Sequence, residues 1–409
     1  MIADFEDWLR KGLGRAVVHL KSHDSKPYRA AIVNACTHNL AYDACEDARA
    51  QYCIDLIQAS SDAQFYRDGL LQTIVDAEPI ADDSEFDLGQ IYWIAAHFAE
   101  DAAIRTAMYA TFDRLGFAQA GLACAEQLIK LDGLDALLIA CETFGQVDAD
   151  DRPWMFGQML AALKQTQPLP ETLNQFALEW QADQARPRTT GPTRLTYPEV
   201  KARIIEQGRK AGMLFWTKHA TIEELHCLAN DLLAESDPDR LYGYLRMFHR
   251  QEFPQDPARL LELACSTDVD IARVARHALA NSSHPCVRPL ALELAPDPEN
   301  WGLVLKLLSK NRDPSDYPLM EHFLAEPADN DHAHWLVGQV LDYLAIEPRL
   351  EAIPALIQVY EKSPCGNCRK QAVEQLLALN ALPEWMRTEC LYDANMDIRN
   401  ITQTPSPQN

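Results

Sequence analysis

The chain is poor in glycine, 16 of 409 residues, and in runs of β-branched residues, which argues against extensive β-sheet. No stretch approaches about 18 uninterrupted apolar residues, so no membrane-spanning helix is expected. The opening residues MIADFEDWLRKGLGR carry acids where a secretory leader would place bases, and the expected location is cytoplasmic. Basic residues are scarce: 37 against 60 acids give a formal charge of −23, a balance that repels phosphate backbones and anionic membranes and favours basic partners. Missing too are a glycine-rich phosphate loop with its lysine, a G-x-S-x-G elbow, an H-E-x-x-H pair and a coupled Cys/His signature. Those absences point away from an enzyme, and no cofactor is expected.

What the chain has is apolar content, 47%, arranged with helical periodicity. An acid followed five positions later by arginine recurs at Asp24/Arg29, Asp62/Arg67, Glu100/Arg105 and Asp268/Arg273, and the first three pairs are spaced by 38 residues. A fixed period of this length is the signature of stacked helical hairpins that bury their apolar faces against one another. In YRAAIVNACTHNLAY, Ala31, Ile32, Ala35, Cys36 and Leu40 share one helix side, with Asp24 and Ser25 placed to cap and Pro27 suited to a first turn. An acid at a helix start accepts from free backbone amides, and an arginine one turn in can reach that carboxylate or the one in the next repeat. A ladder along the stack would result. Cys36, Cys53, Cys124, Cys141, Cys227 and Cys265, six of 11 cysteines, fall in apolar runs as small buried hydrophobes.

The expected organisation is N-terminal helical repeats over 1–185, a Pro/Gly/Thr linker over 186–198, C-terminal repeats over 199–400 and a frayed polar tail at 401–409. Arg186, Arg188, Arg194, Lys201, Arg203, Arg209 and Lys210 form a basic island in this acidic chain, able to grip an acidic peptide or nucleic acid, or to dock as a solvated loop on the chain's own acids. In STDVDIARVARHALAN, Asp268 and Asp270 cap a helix whose apolar stripe is Ile271, Val274, Ala275, Ala278 and Leu279.

Cys365, Cys368 and Cys390 supply three thiols where a structural zinc site needs four ligands, so packing at a helix start is the expectation and no metal is assigned. ADNDHAHW gathers Asp329, Asp331, His332 and His334, with His322 one helix earlier, and reads as a polar loop with an N-cap at Asp331. His226, His249 and His277 sit in or beside apolar helices and read as packing residues.

These features, above all residues 268–279 and the 38-residue series, resemble the HEAT and armadillo-like α-solenoid superfamily. The closing stretch from Cys365 to Arg399 is similar to that of uncharacterised bacterial HEAT-repeat proteins. The resemblance implies an all-α solenoid of stacked antiparallel helix pairs, whose second helices line a concave face used for docking proteins. The expected function is a non-enzymatic scaffold or adaptor, an immunity or assembly factor for a basic protein among the options. Arg29, Arg67, Arg105, Arg273, Tyr92, Trp93, Trp216 and Trp301 are the candidate contacts. The alternative is a HEAT-like DNA glycosylase or another nucleic-acid-binding protein, disfavoured because only 186–210 is locally basic.

Overall fold

The structure, a computed structural model, describes residues 2–42, 49–78, 85–147, 151–171, 173–174, 178, 195–211, 216–326 and 329–403. Every regular element among them is helical. The chain divides into two compact units: Met1–Arg188 with Ser363–Leu377 and Leu382–Asn409, and Thr189–Lys362 with Ala378–Ala381. The closing segment therefore belongs with the N-terminal helices and not with a run of repeats continuing to 400. Most of the expected linker, 186–194, and the tail from 404 lie outside the described residues, whereas 401–403 still belong to a helix.

In the first unit the helices are α1 (Ile2–Lys11), α2 (Arg15–Leu20), α3 (Arg29–Thr37), α4 (Ala50–Ala59), α5 (Ala63–Asp76), α6 (Glu85–Ala96), α7 (Ala102–Leu115), α8 (Phe117–Asp132), α9 (Leu134–Thr143) and α10 (Arg152–Thr166). Alternate helices touch: α2, α4, α6, α8 and α10 form one layer, and α3, α5 and α7 the other. One hydrophobic core between the layers runs from Phe5 to Leu163. Apolar residues recurring every three or four positions place one face of each helix there, for example Tyr66, Leu70 and Ile74 of α5. Several polar side chains within this core donate to backbone carbonyls. Tyr92 donates to Met108 O at 2.6 Å, Tyr52 to Leu13 O at 2.9 Å, and Gln90 Nε2 to Ala35 O at 3.0 Å.

The acid–arginine series forms a ladder along the α3–α5–α7 layer. Arg29 pairs with Asp62 at the start of α5, Arg67 with Asp101 at the start of α7, and Arg105 with Asp132 at the end of α8. Each arginine reaches an acid on a later helix and not the acid five residues before it. In the third pair the acid at the helix start is Asp101, the neighbour of the expected Glu100, because Asp101 stands at the N-cap and accepts from Ala103 N at 2.7 Å.

The closing helices of this unit are α21 (Gly366–Ala378), α22 (Glu384–Cys390) and α23 (Met396–Gln403). Helix α22 lies on α2, and no side chain fits at Gly14, where a Cβ would run into the backbone carbonyl of Glu389. Arg15 bonds Glu389 at 2.7 Å, Ala394 N donates to Gly12 O at 2.8 Å, and Arg399 reaches Asp55 at 2.5 Å. Arg369 and Asp393, 1% and 0% exposed, form a buried pair at 2.8 Å. Close by, the buried Arg49 guanidinium donates to Leu9 O and Arg10 O at 2.9 and 2.6 Å, and burial followed by repulsion from Arg369 pulls its pKa down to about 10.

The second unit contains α11 (Tyr197–Gln207), α12 (Ile222–Ala234), α13 (Pro238–Met247), α14 (Ala258–Ala264), α15 (Val269–Leu279), α16 (Val287–Leu294), α17 (Trp301–Ser309), α18 (Asp316–Ala325), α19 (Asn330–Ile346) and α20 (Ile353–Lys362). Helices α13, α15, α17 and α19 touch in succession, with α12, α14, α16 and α18 packed behind them. Asp268 caps α15, accepting from Asp270 N at 3.0 Å and Ile271 N at 3.2 Å. Gly302 lets α19 close on α17, since a Cβ there would strike the Trp335 ring. Cys36, Cys53 and Cys124 are buried as expected of their apolar runs, but Cys227 and Cys265 are exposed. Cys227 sits between buried Leu225 and Leu228 on the outward side of α12.

Candidate binding groove

The four helices α13, α15, α17 and α19 bury one face each in the second unit, and the residues left on their other face line two adjoining grooves. Along α15, Ile271, Ala272, Val274, Ala275, Ala278 and Leu279 are buried, which turns Arg273 and His277, four residues apart, outward. Helix α13 ends in buried Leu245, Met247 and Phe248, so Arg246, His249 and Arg250 emerge around a 3-10 turn. Lys306 comes from α17, and Gln339, Asp342, Tyr343 and Ile346 share one side of α19.

The larger groove, about 360 Å³, lies among His249, Arg250, His277, Asn281, Lys306 and Asp342. A smaller one of about 210 Å³ adjoins it through His249 and His277 and is bordered by Tyr242, Arg246 and Arg273. The two imidazole rings meet with centroids 4.8 Å apart. Asn281 fixes this contact, donating through Nδ2 to Phe248 O at 3.0 Å and His249 O at 3.1 Å, which ties the 3-10 turn to the end of α15.

Positive charge is concentrated here. Arg250 and Lys306 border the first groove and Arg246 and Arg273 the second, four cations against the single carboxylate of Asp342. Arg273 also pairs with Asp270 at 2.6 Å, and Arg246 leans over the Tyr242 ring at 5.7 Å. Burial and then the neighbouring His249, Lys306 and Arg273 push His277 down to about 4. His249 is lowered by burial, then by Lys306, Arg250 and Arg246, and Lys306 is lowered chiefly by its own burial. Both imidazoles are therefore neutral at neutral pH, held so by partial burial and a cationic setting.

The residues singled out in the sequence fall elsewhere, with one exception. Arg273 lines the groove, while Arg29, Arg67 and Arg105 are engaged in the ladder. Tyr92, Trp216 and Trp301 are core residues, 0%, 8% and 5% exposed, and have no surface to offer a partner. Trp216 donates to Leu195 O at 2.7 Å, and Trp301 to Ala295 O at 2.9 Å while stacking on Phe323. Trp93 is the exposed one, 40%, with Lys130 Nζ 5.2 Å from its ring centre. From the basic island, Arg209 is held by Asp239, Asp268 and Asp270 at 2.7, 2.9 and 2.8 Å, and Lys201 by Asp231 at 2.9 Å. Arg186, Arg188 and Arg194 lie outside the described residues.

Cys365, Cys368 and Cys390 are all buried, and the first two sulfurs lie within 4.8 Å of each other. In the 329–334 run the N-cap is Asp329, accepting from His332 N at 2.8 Å, where Asp331 was expected; α19 simply starts two residues earlier. Sequence reasoning missed the groove because His249 and His277 are 28 positions apart and each reads as a lone packing histidine. The available signal was that Arg246, His249, Arg273, His277 and Lys306 occupy the polar side of successive helices. No helix among the described residues is long and apolar enough to cross a membrane. No family model, curated protein or solved structure matches the chain.

Proposed function

We propose that the protein is a non-enzymatic binding scaffold of the HEAT-like α-solenoid kind, and that the groove of its second unit takes an acidic segment of a protein partner. The layering within each unit supports the repeat reading, since alternate helices touch and consecutive ones face each other across a core. The α13–α15–α17–α19 layer then corresponds to the second helices, the docking face in such stacks. One observation carries the choice of partner: the residues lining the grooves include four cations, one of them Arg273 paired with Asp270, and a single carboxylate, in a chain whose net charge is −23. Overall acidity favours a basic partner by long-range attraction, but screening confines that field to roughly 8 Å at physiological salt. Local groove charge therefore decides the contact.

A fluorescent oligo-glutamate peptide, with oligo-lysine as its counterpart, tests the reading by anisotropy at low salt. The glutamate peptide should bind, weaken as salt rises, and lose about tenfold in affinity on Arg246→Glu or Lys306→Glu. Preference for oligo-lysine, or glutamate binding indifferent to both substitutions, would overturn it.

A further inference from the structure

We propose that the larger groove, between His249, His277 and Lys306, is a subsite for a phosphate monoester, so that the acidic segment it takes is a phosphorylated one. This rests on the groove being a site for an acidic segment. Three observations point from carboxylate toward phosphate.

The first is charge. Arg250 and Lys306 stand against Asp342 in this groove, and the adjoining one adds Arg246 and Arg273, the latter paired with Asp270, so the lining is cationic on balance. A carboxylate offers one negative charge, whereas a phosphate monoester carries about 1.5 to 2 near neutral pH. The second is the donor set. Lys306 has three N–H donors, the Arg250 guanidinium presents a planar fork, and each imidazole adds a ring nitrogen, a set suited to an anion with three acceptor oxygens. A volume of about 360 Å³ holds such a group with part of the side chain that bears it.

The third is the imidazole pair itself. A histidine kept for packing is commonly neutral beside a carboxylate or carbonyl acceptor. Here the charged groups acting on His277 and His249 are Lys306, Arg273, Arg250 and Arg246, all cationic. An entering dianion reverses that field, and the rings can then take up protons and become additional donors. Asp342 faces Lys306 from α19 and is the one acid lining either groove. The remaining titratable groups bordering the grooves are Tyr242 and Tyr343, and the Tyr343 hydroxyl is already bonded to Asp316 at 2.6 Å. Binding should consequently tighten as pH falls from 7.5 toward 6, because the rings of the complex, and not those of the free protein, take up protons there, and flatten as the phosphate itself protonates.

The test uses the full chain and two peptides, Glu-Glu-phosphoserine-Glu-Glu and the same peptide with glutamate at the centre, titrated by calorimetry. The phosphopeptide should bind about tenfold more tightly or better. That preference should vanish in Lys306→Met and in His277→Gln, each of which should cost the phosphopeptide more affinity than it costs the glutamate peptide. Equal affinity for the two peptides overturns the phosphate subsite and leaves the acidic-segment reading standing; no binding of either overturns both. A short DNA duplex or a phosphatidylserine vesicle that displaces the phosphopeptide at lower concentration also overturns it, by pointing to a different anion. As a measurement independent of variant folding, inorganic phosphate added to the wild-type protein should raise the NMR titration midpoint of the His277 ring. An unmoved midpoint counts against the subsite.

Discussion

A single buried charge must find its partner inside the protein, and the Arg369–Asp393 pair illustrates the cost of losing one. With both side chains almost fully enclosed, Asp393→Ala strands a guanidinium in the core and should cost about 3–5 kcal/mol, read as a lower denaturant midpoint with unchanged slope. Replacing both residues by apolar ones of similar volume should recover most of that loss. Gly302→Ala acts through space, not charge: the new methyl meets Trp335, and an over-packing loss of about 1–3 kcal/mol is expected by the same measurement. His277 sets a pH dependence with a definite sign. Below pH 6.5 the unfolded chain binds a proton at this ring that the folded chain refuses until about 4, so stability declines through that window and levels off beneath it. Denaturation of His277→Gln at pH 7 and pH 5 should show a smaller decline than the wild type. Little of this scale is legible in sequence, because burial is a property of neighbours. Tyr92, Trp216 and Trp301 look like surface anchors until the helices that cover them are in place.

Helices and their junctions were more readable. Arg29, Arg67 and Arg105, spaced by 38 residues, each bond an acid beyond their own helix start. Apolar stripes such as that of α15 are equally plain, because a 3.6-residue period depends on the segment alone. What a segment cannot specify is the identity of the rung's far end, and so Asp101 supplants Glu100. Asp101→Ala removes both the cap of α7 and the partner of Arg67, and should lower stability by about 1–2 kcal/mol. Thermal melting followed by circular dichroism checks this, and Arg67→Met alone should cost less. The groove was illegible for the opposite reason to the ladder: its parts come from four helices with no shared spacing, and only packing brings His249 against His277.

For the whole chain, the division into units does not follow sequence order. The second unit is nearly continuous, whereas the first takes residues from both termini, so a composition shift near 186 marked one crossing and nothing marked the return near 363. Truncation before Glu384 removes the partners of Arg15, Gly12 and Asp55. It should therefore accelerate hydrogen exchange in α1, α2 and α4 while leaving α13 and α15 protected, and equal acceleration in both units would contradict this division. Arg15 and Glu389 stand 374 positions apart yet share one hydrogen bond. During synthesis α1, α2 and α4 must wait for residues 389–399 to emerge before these contacts can form. Until then the surface of α2 that α22 covers stays open.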